Sequence, residues 1–464
     1  MTAIKKNRDF TTGPIFFRLT TFAIPIMLTG LLQTFYSMAD NIVVGQFSGD
    51  PNALAAVGST ISISNLFINF LMGVALGAGI VVAQCIGAKM HDRASDAVHT
   101  AILLSVIAGL IMGAIGFAFS KSILVALGTK SELVESASLY LRIISVGLPA
   151  QTLYNFGAAI LRSTGNSRTP LFILAASGLI NVLFNLLFVI VFNMSVAGVA
   201  TATIISQYIS AIAVIITLMR RTDACRLVLS KLRTNLQILK RILALGLPSG
   251  IQSAVFAFAN VLLTKAINTL TTAAVYAYTV VSNIDAITIT ITNSYQQAAT
   301  TFTAQNYGAK DHARVVKSYG FSLIWAIIVS VFFGQLSLVF AEQISTLYIS
   351  SDNPLKAEII EAALPMMKVL LNTLPLLGIM NVSTGALRGV GRSFTSMIAC
   401  IICVVGGRIS WIYLAFPLER FNSPAGLMYS FPVSWILTSV VTTAILLVVL
   451  RGLKKEFTKE NKQQ

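Results

Sequence analysis

Runs of mostly apolar residues recur along this chain at intervals of roughly forty, each near the ~20 residues a helix needs to cross a bilayer. Twelve spans can be drawn: 15–46, 53–84, 98–119, 133–161, 168–192 and 196–219, then 241–267, 273–304, 316–341, 357–387, 394–416 and 425–450. Composition agrees. Charged residues make up 11% of the 464, against about 25% in a soluble domain, and mean hydropathy is +0.80. Such a chain cannot cover a water-facing surface, so the pattern predicts an all-α polytopic membrane protein. No separate secretory signal is expected, because a polar start (Lys5, Lys6, Arg8) leads straight into a full-length span.

The net charge of +16 invites a nucleic-acid reading, and its distribution argues against one. With the first span entering from the cytoplasm, 25 of the 33 Lys and Arg residues fall on the cytoplasmic side. The opposite loops carry only Lys121, Lys130, Lys265, Lys356 and Arg420. That bias is the positive-inside rule, and it predicts that both termini are cytoplasmic. The four cysteines are scattered, and Cys400 and Cys403 sit in an apolar helix with no His or carboxylate neighbour, so packing accounts for them.

An internal repeat organises the spans. Residues 130–169 align without a gap on 356–395, with twelve identities among forty positions. They include Pro149/Pro375, Asn155/Asn381, Arg162/Arg388 and Gly165/Gly391. A second match pairs Ala83-Gln84-x-x-Gly87-Ala88-Lys89 with Ala304-Gln305-x-x-Gly308-Ala309-Lys310. Chance similarity between apolar helices accounts for shared Leu and Ala, but not for shared Pro, Asn, Arg and Gly. Six spans per repeat keep the two halves in the same orientation, an arrangement that belongs to transporters. The division predicted is 1–219 and 242–464, joined by a basic linker at 220–241. Leu227, Leu229, Leu232, Leu236 and Leu239 in the linker suggest a helix lying on the membrane surface.

Charged and polar residues inside spans are the candidate site. Asp40 lies in the first span, with Gln33 and Tyr36 on the same helical face. A carboxylate at the bilayer centre costs about 2.5–3.5 kcal/mol on insertion scales, which is tolerated where it faces a bundle interior or a wet cavity. Asp285 in the eighth span is the other deep acid, with Arg408 its natural partner; a structural salt bridge and a substrate-facing role are both open. The two second helices of the repeat are rich in Ser, Thr, Asn and Gln, including Asn65, Asn69 and Asn283, as expected of helices lining a wet cleft. Pro25, Pro149, Pro248, Pro365 and Pro375 mark expected kinks.

The repeated Leu-Arg-x-x-Gly-x-Ser (161–167 and 387–393), the Ala-Gln-x-x-Gly-Ala-Lys pair and Met-Ala-Asp-Asn-Ile-Val-Val-Gly (38–45) resemble the MATE (multidrug and toxic compound extrusion) exporters over nearly the whole chain. The resemblance implies two parallel six-helix bundles around a V-shaped central cleft, and export of cationic amphipathic drugs in exchange for H⁺ or Na⁺. Asp40 matches the family's first-helix carboxylate and Tyr36 the aromatic beside it. Asn181 and Asn185 match an Asn-x-x-x-Asp pair of the archaeal and DinF-like branch, with Asn in place of Asp at 185. Thr203 matches a threonine of the same network, and Asn155 is its expected neighbour. These six are the expected coupling set, with Na⁺ at Asp40, Asn181 and Asn185 as one option. Gln33, Asn65, Asn69, Asn283, Asp285 and Arg408 are the expected cleft lining. The norfloxacin-exporting branch carries acids where this chain has Phe256 and Leu377, so its second-half cation site is expected to be missing.

The resemblance further implies a bacterial cytoplasmic-membrane monomer with small amphipathic drugs and membrane lipids as partners, no nucleic acid, and no cofactor besides the coupling ion. A lipid-linked oligosaccharide flippase of the same architecture would call for more cleft cations than Arg142, Lys368 and Arg408. A membrane enzyme lacks support, since His91, His99 and His312 fall at or near loops. A receptor leaves the parallel repeat unexplained.

Overall fold

A computed structural model describes residues 9–48, 52–349 and 354–463. Those residues are nearly all helical. Eleven helices are long and apolar enough to cross a membrane, and there are twelve spans if the pair Lys356–Asn372 and Leu374–Gly389, bent by 42°, counts as one. The bend falls where Pro375 opens the second piece, because proline offers no N–H to continue the ladder. The basic residues Lys5, Lys6 and Arg8 lie outside the described residues.

The first six spans are Ile15–Phe47, Ala53–Gly87, His91–Ala126, Ser131–Ser163, Arg168–Val191 and Ser195–Met219. The second six are Leu236–Ile267, Thr272–Gly308, His312–Val339, the bent pair, Ser393–Ala415 and Pro424–Lys459. A short helix, Ala341–Leu347, precedes the tenth. The fifth span ends in a π-helical turn, Leu187–Val191, and the eleventh carries two, Ile401–Gly406 and Trp411–Ala415.

The chain condenses into two compact units that do not break at the linker. One contains Leu28–Gly250; the other joins Phe10–Met27 to Ile251–Gln464. Each boundary lies two residues beyond a helix-interior proline, Pro25 in the first helix and Pro248 in the seventh. Each unit thus owns the opening stretch of the other's first helix.

In the first unit the close approach of second and seventh helices depends on glycine. A Cβ on Gly77 would lie 2.5 Å from the backbone of Gly246, a separation real side chains do not reach. Gln84, from the repeated motif, accepts a 2.6 Å bond from the Arg241 guanidinium at the start of the seventh helix. In the second unit Phe10, Leu19, Phe22 and Ala23 share a core with Phe302, Tyr319 and Leu387. Phe10 stacks on Phe302 at 3.8 Å between ring centroids. Gln305, the repeat mate of Gln84, accepts from the Phe10 backbone N–H at 2.8 Å. The same glutamine of the repeat therefore grips the entering end of a first helix in both units.

The linker departs from the expected surface helix. Only Leu229–Lys231 form a single 3₁₀ turn before the seventh helix begins at Leu236. Side chains of the third helix take its backbone donors instead: His99 accepts from Val228 N–H at 3.1 Å, and Thr100 from Asn235 N–H at 3.1 Å. Cys225 and Leu227 are buried while Leu229, Leu232 and Leu236 are exposed, so the leucines do not form one buried face of an irregular strap.

Candidate functional site

The first helix approaches the fifth through small residues. Gly178 of the fifth helix lies directly under the Tyr36 ring, where any Cβ would collide with it. The Tyr36 hydroxyl donates to the Ala175 carbonyl at 3.1 Å, so it ties the two helices and does not bond Asp40. One turn along, the Asn185 amide donates to the Asp40 carboxylate at 2.5 Å. The same amide donates to the Asn181 oxygen at 3.3 Å, and Asn181 in turn donates to the Thr203 hydroxyl at 3.4 Å. Asp40, Asn181, Asn185 and Thr203 therefore form one chain of polar contacts across the first, fifth and sixth helices. The i, i+4 spacing of the two asparagines places both amides on one helix face.

Asn185 is fully buried, and its own side-chain oxygen has no partner among the described residues. An unpartnered buried acceptor costs roughly 1–3 kcal/mol. The amide has two settings. With nitrogen inward, as here, it donates to the Asp40 carboxyl group, an arrangement that suits the ionised form. Turned over, it would present oxygen, which suits a protonated carboxyl or a cation held among Asp40, Asn181 and Asn185. A donor now sits where Na⁺ would need an acceptor, so Na⁺ fits these residues only after the amide turns.

One expected member of this cluster makes no bond to it, and one unexpected residue adjoins it. Asn155 forms no hydrogen bond with any member among the described residues, whereas its repeat mate Asn381 donates to Thr292 and Asn293 in the eighth helix. Tyr140 of the fourth helix was not foreseen. It packs against the valine cluster around Val43 and Val44 and lies close enough to act electrostatically on Asp40. Its sequence signal is slight, a lone tyrosine in a helix whose repeat mate is Met366.

In the second unit Asp285 and Arg408 do not pair directly. The ion pairs Arg221–Asp223 and Arg233–Asp96 both belong to the first unit. Arg408 donates instead to the Asn260 oxygen of the seventh helix at 2.7 Å and lies 4.3 Å from the Phe431 ring centroid. Asn260 could have been noticed as a lone amide in an apolar stretch. Asp285 keeps to its own helix, accepting from Thr288 at 3.4 Å. Gln33, Asn65, Asn69 and Asn283 are all exposed, and Asn283 donates to the Thr279 carbonyl.

With this geometry in hand, likeness to known proteins is informative. The MatE family model matches residues 25–187 and 248–414, each segment opening on a helix-interior proline and closing in a π-helical turn. The "Probable multidrug resistance protein YoeA" of Bacillus subtilis is 27% identical over 72% of this chain and 75% of its own length. The "Probable multidrug resistance protein NorM" of Thermotoga maritima is 25% identical over 87% and 85%. Among solved structures, a MOP superfamily transporter from Pyrococcus furiosus superposes with a TM-score of 0.90 at 22% identity, over 97% of this chain and 99% of that one. It shares the fold. Matched in both halves of its repeat, this chain is a transporter rather than an enzyme, and it belongs to the MatE family.

Proposed function

We propose that the protein is a secondary exporter of amphipathic cationic drugs, driven by inward exchange of H⁺ or Na⁺, with Asp40 as the exchanging group. The bond from Asn185 to Asp40 carries this reading, since it makes the contact between first and fifth helices depend on the charge of one carboxylate. The relatives named multidrug resistance proteins support the cargo class. The charge bias of the loops supports a cytoplasmic-membrane protein with both termini inside.

The chemistry follows from that bond. While Asp40 is ionised, the inward amide nitrogen makes a charge-assisted hydrogen bond, worth about 1.5–3 kcal/mol. Neutralisation by a proton, or pairing with Na⁺, withdraws that bond and favours the turned amide. The first helix then repacks against the fifth. Coupling between ion and drug is the difference this makes between the two states, and it acts equally in both directions. Asn185 replaces the carboxylate of the DinF-like pattern, so one full charge and not two is cycled here.

Everted vesicles loaded with ethidium under separate pH and Na⁺ gradients test the proposal. The parent should accumulate the dye under one of the gradients. Asp40→Asn should bind ethidium yet fail to concentrate it, because the neutral amide mimics the neutralised state. An Asp40→Asn protein that still concentrates dye under either gradient would overturn the assignment.

A further inference from the structure

The seventh and eleventh helices are the repeat mates of the first and fifth, and a bond between two polar side chains joins each pair. Aligning Pro248 on Pro25 sets Asn260 against Ser37, one turn from the level of Asp40; the repeat offset of 226 sets Arg408 against Val182, beside Asn181. Where the first half has a carboxylate and an amide, the second has an amide and a guanidinium, Asn260 and Arg408.

Arg408 is 6% exposed. One Nη is taken by Asn260 and the guanidinium lies over the Phe431 ring, while its Nε finds no partner among the described residues. The backbone around it is unusual: four α-helical residues, Gly407–Ser410, lie between two π-helical turns. Such π turns re-aim side chains and concentrate at functional positions. The titratable groups that bear on the guanidinium are Asp285 and Tyr278, both from the eighth helix. The seventh helix contributes the neutral Asn260 and the twelfth the Phe431 ring. An arginine side chain stays protonated in proteins, so its charge cannot be cycled.

We propose that Arg408 is a tethered cation. It permanently fills, in the second half, the role that a mobile proton or cation fills beside Asp40, and so confines ion exchange to the first half. This rests on the antiport reading above and adds the reason why one deep acid exchanges while the other does not. Asp285 already has a fixed positive charge acting on it, so it needs no ion of its own. Remove the guanidinium, and Asp285 becomes an uncompensated carboxylate inside a span, which must take up a proton or cation to be tolerated.

The number of ions exchanged per ethidium, measured in proteoliposomes clamped at zero voltage from the ethidium gradient that a set ion gradient just holds, decides the matter. Arg408→Gln should raise the count by one over the parent, and Arg408→Gln with Asp285→Asn should return it to the parental value. Arg408→Lys, which keeps charge but not the fork, should leave it unchanged, as should Asp285→Asn alone. A merely structural arginine would lower melting temperature and rate in Arg408→Gln and Arg408→Lys alike without changing the count. That result, or a count lowered by Asp285→Asn, overturns the proposal. Should Arg408→Gln fail to fold, Arg408→Met, uncharged and suited to the apolar surroundings, is measured in its place, with the same raised count expected and an unchanged count overturning the proposal. A parent that concentrates no dye under either gradient would instead overturn the antiport reading itself.

Discussion

The first and second halves of this transporter bridge equivalent helices with opposite electrostatics. Asp40 and Asn185 place a removable charge at the joint of first and fifth helices; Asn260 and Arg408 place a permanent one near the joint of seventh and eleventh. The difference shows that duplication conserves the position of a helix contact more firmly than its chemistry. One copy can remain a moving part while the other is fixed.

The largest expected effect breaks the moving copy. Asp40→Asn should reduce gradient-driven ethidium accumulation by at least tenfold, in the range of typical coupling energies, while flotation and melting temperature show a folded protein. Carboxylates introduced at the two bridging amides sharpen the contrast, because they should act with opposite sign. Asn185→Asp sets a second carboxylate against Asp40, and should lower thermal stability in cation-free buffer by roughly 1–3 kcal/mol. Na⁺ should restore it. Asn260→Asp gives Arg408 an anionic partner and should stabilise by about 1 kcal/mol or more, with no dependence on Na⁺. Equal signs from the two substitutions would show that the halves do not differ as described.

The helix spans, the repeat and Asp40 were legible because each leaves a local mark, whereas Asn181, Asn185 and Thr203 came only from the resemblance to the MATE exporters. A charge interrupts an apolar run, or a proline and glycine recur at a fixed offset. Tyr140 and the Asn260–Arg408 bond were not legible, since they depend on which helix faces are brought together. The linker misled for a related reason. Its leucines have helical spacing, but His99 and Thr100 hold the backbone from outside, and no sequence pattern in the linker announces them.

Smaller effects concern the framework beneath each bridge. Gly178→Ala pushes a methyl into the Tyr36 ring and should cost about 1–3 kcal/mol as an overpacking change, read as a lower melting temperature. The same substitution at Gly406 in the eleventh helix meets nothing within 4 Å and should be close to neutral. Gln305→Ala removes an acceptor of a neutral backbone N–H and should cost roughly 0.5–1.5 kcal/mol. Gln84→Ala removes the acceptor of a guanidinium and should cost somewhat more, about 1.5–3 kcal/mol. Melting curves of the pair would order them.

The exchange of opening half-helices also sets a timetable for biosynthesis. Phe10–Met27 leaves the ribosome ahead of the other spans described, yet its core partner Phe302 lies some 280 residues downstream of Phe22. At ordinary elongation rates of about 5–20 residues per second, that apolar face waits on the order of tens of seconds for its neighbours. The beginning of the seventh helix meets no such delay, because Gly73, Gly77 and Gln84 are already made when Arg241, Gly246 and Gly250 emerge. The earliest of the described spans to be synthesised is among the last to be completed.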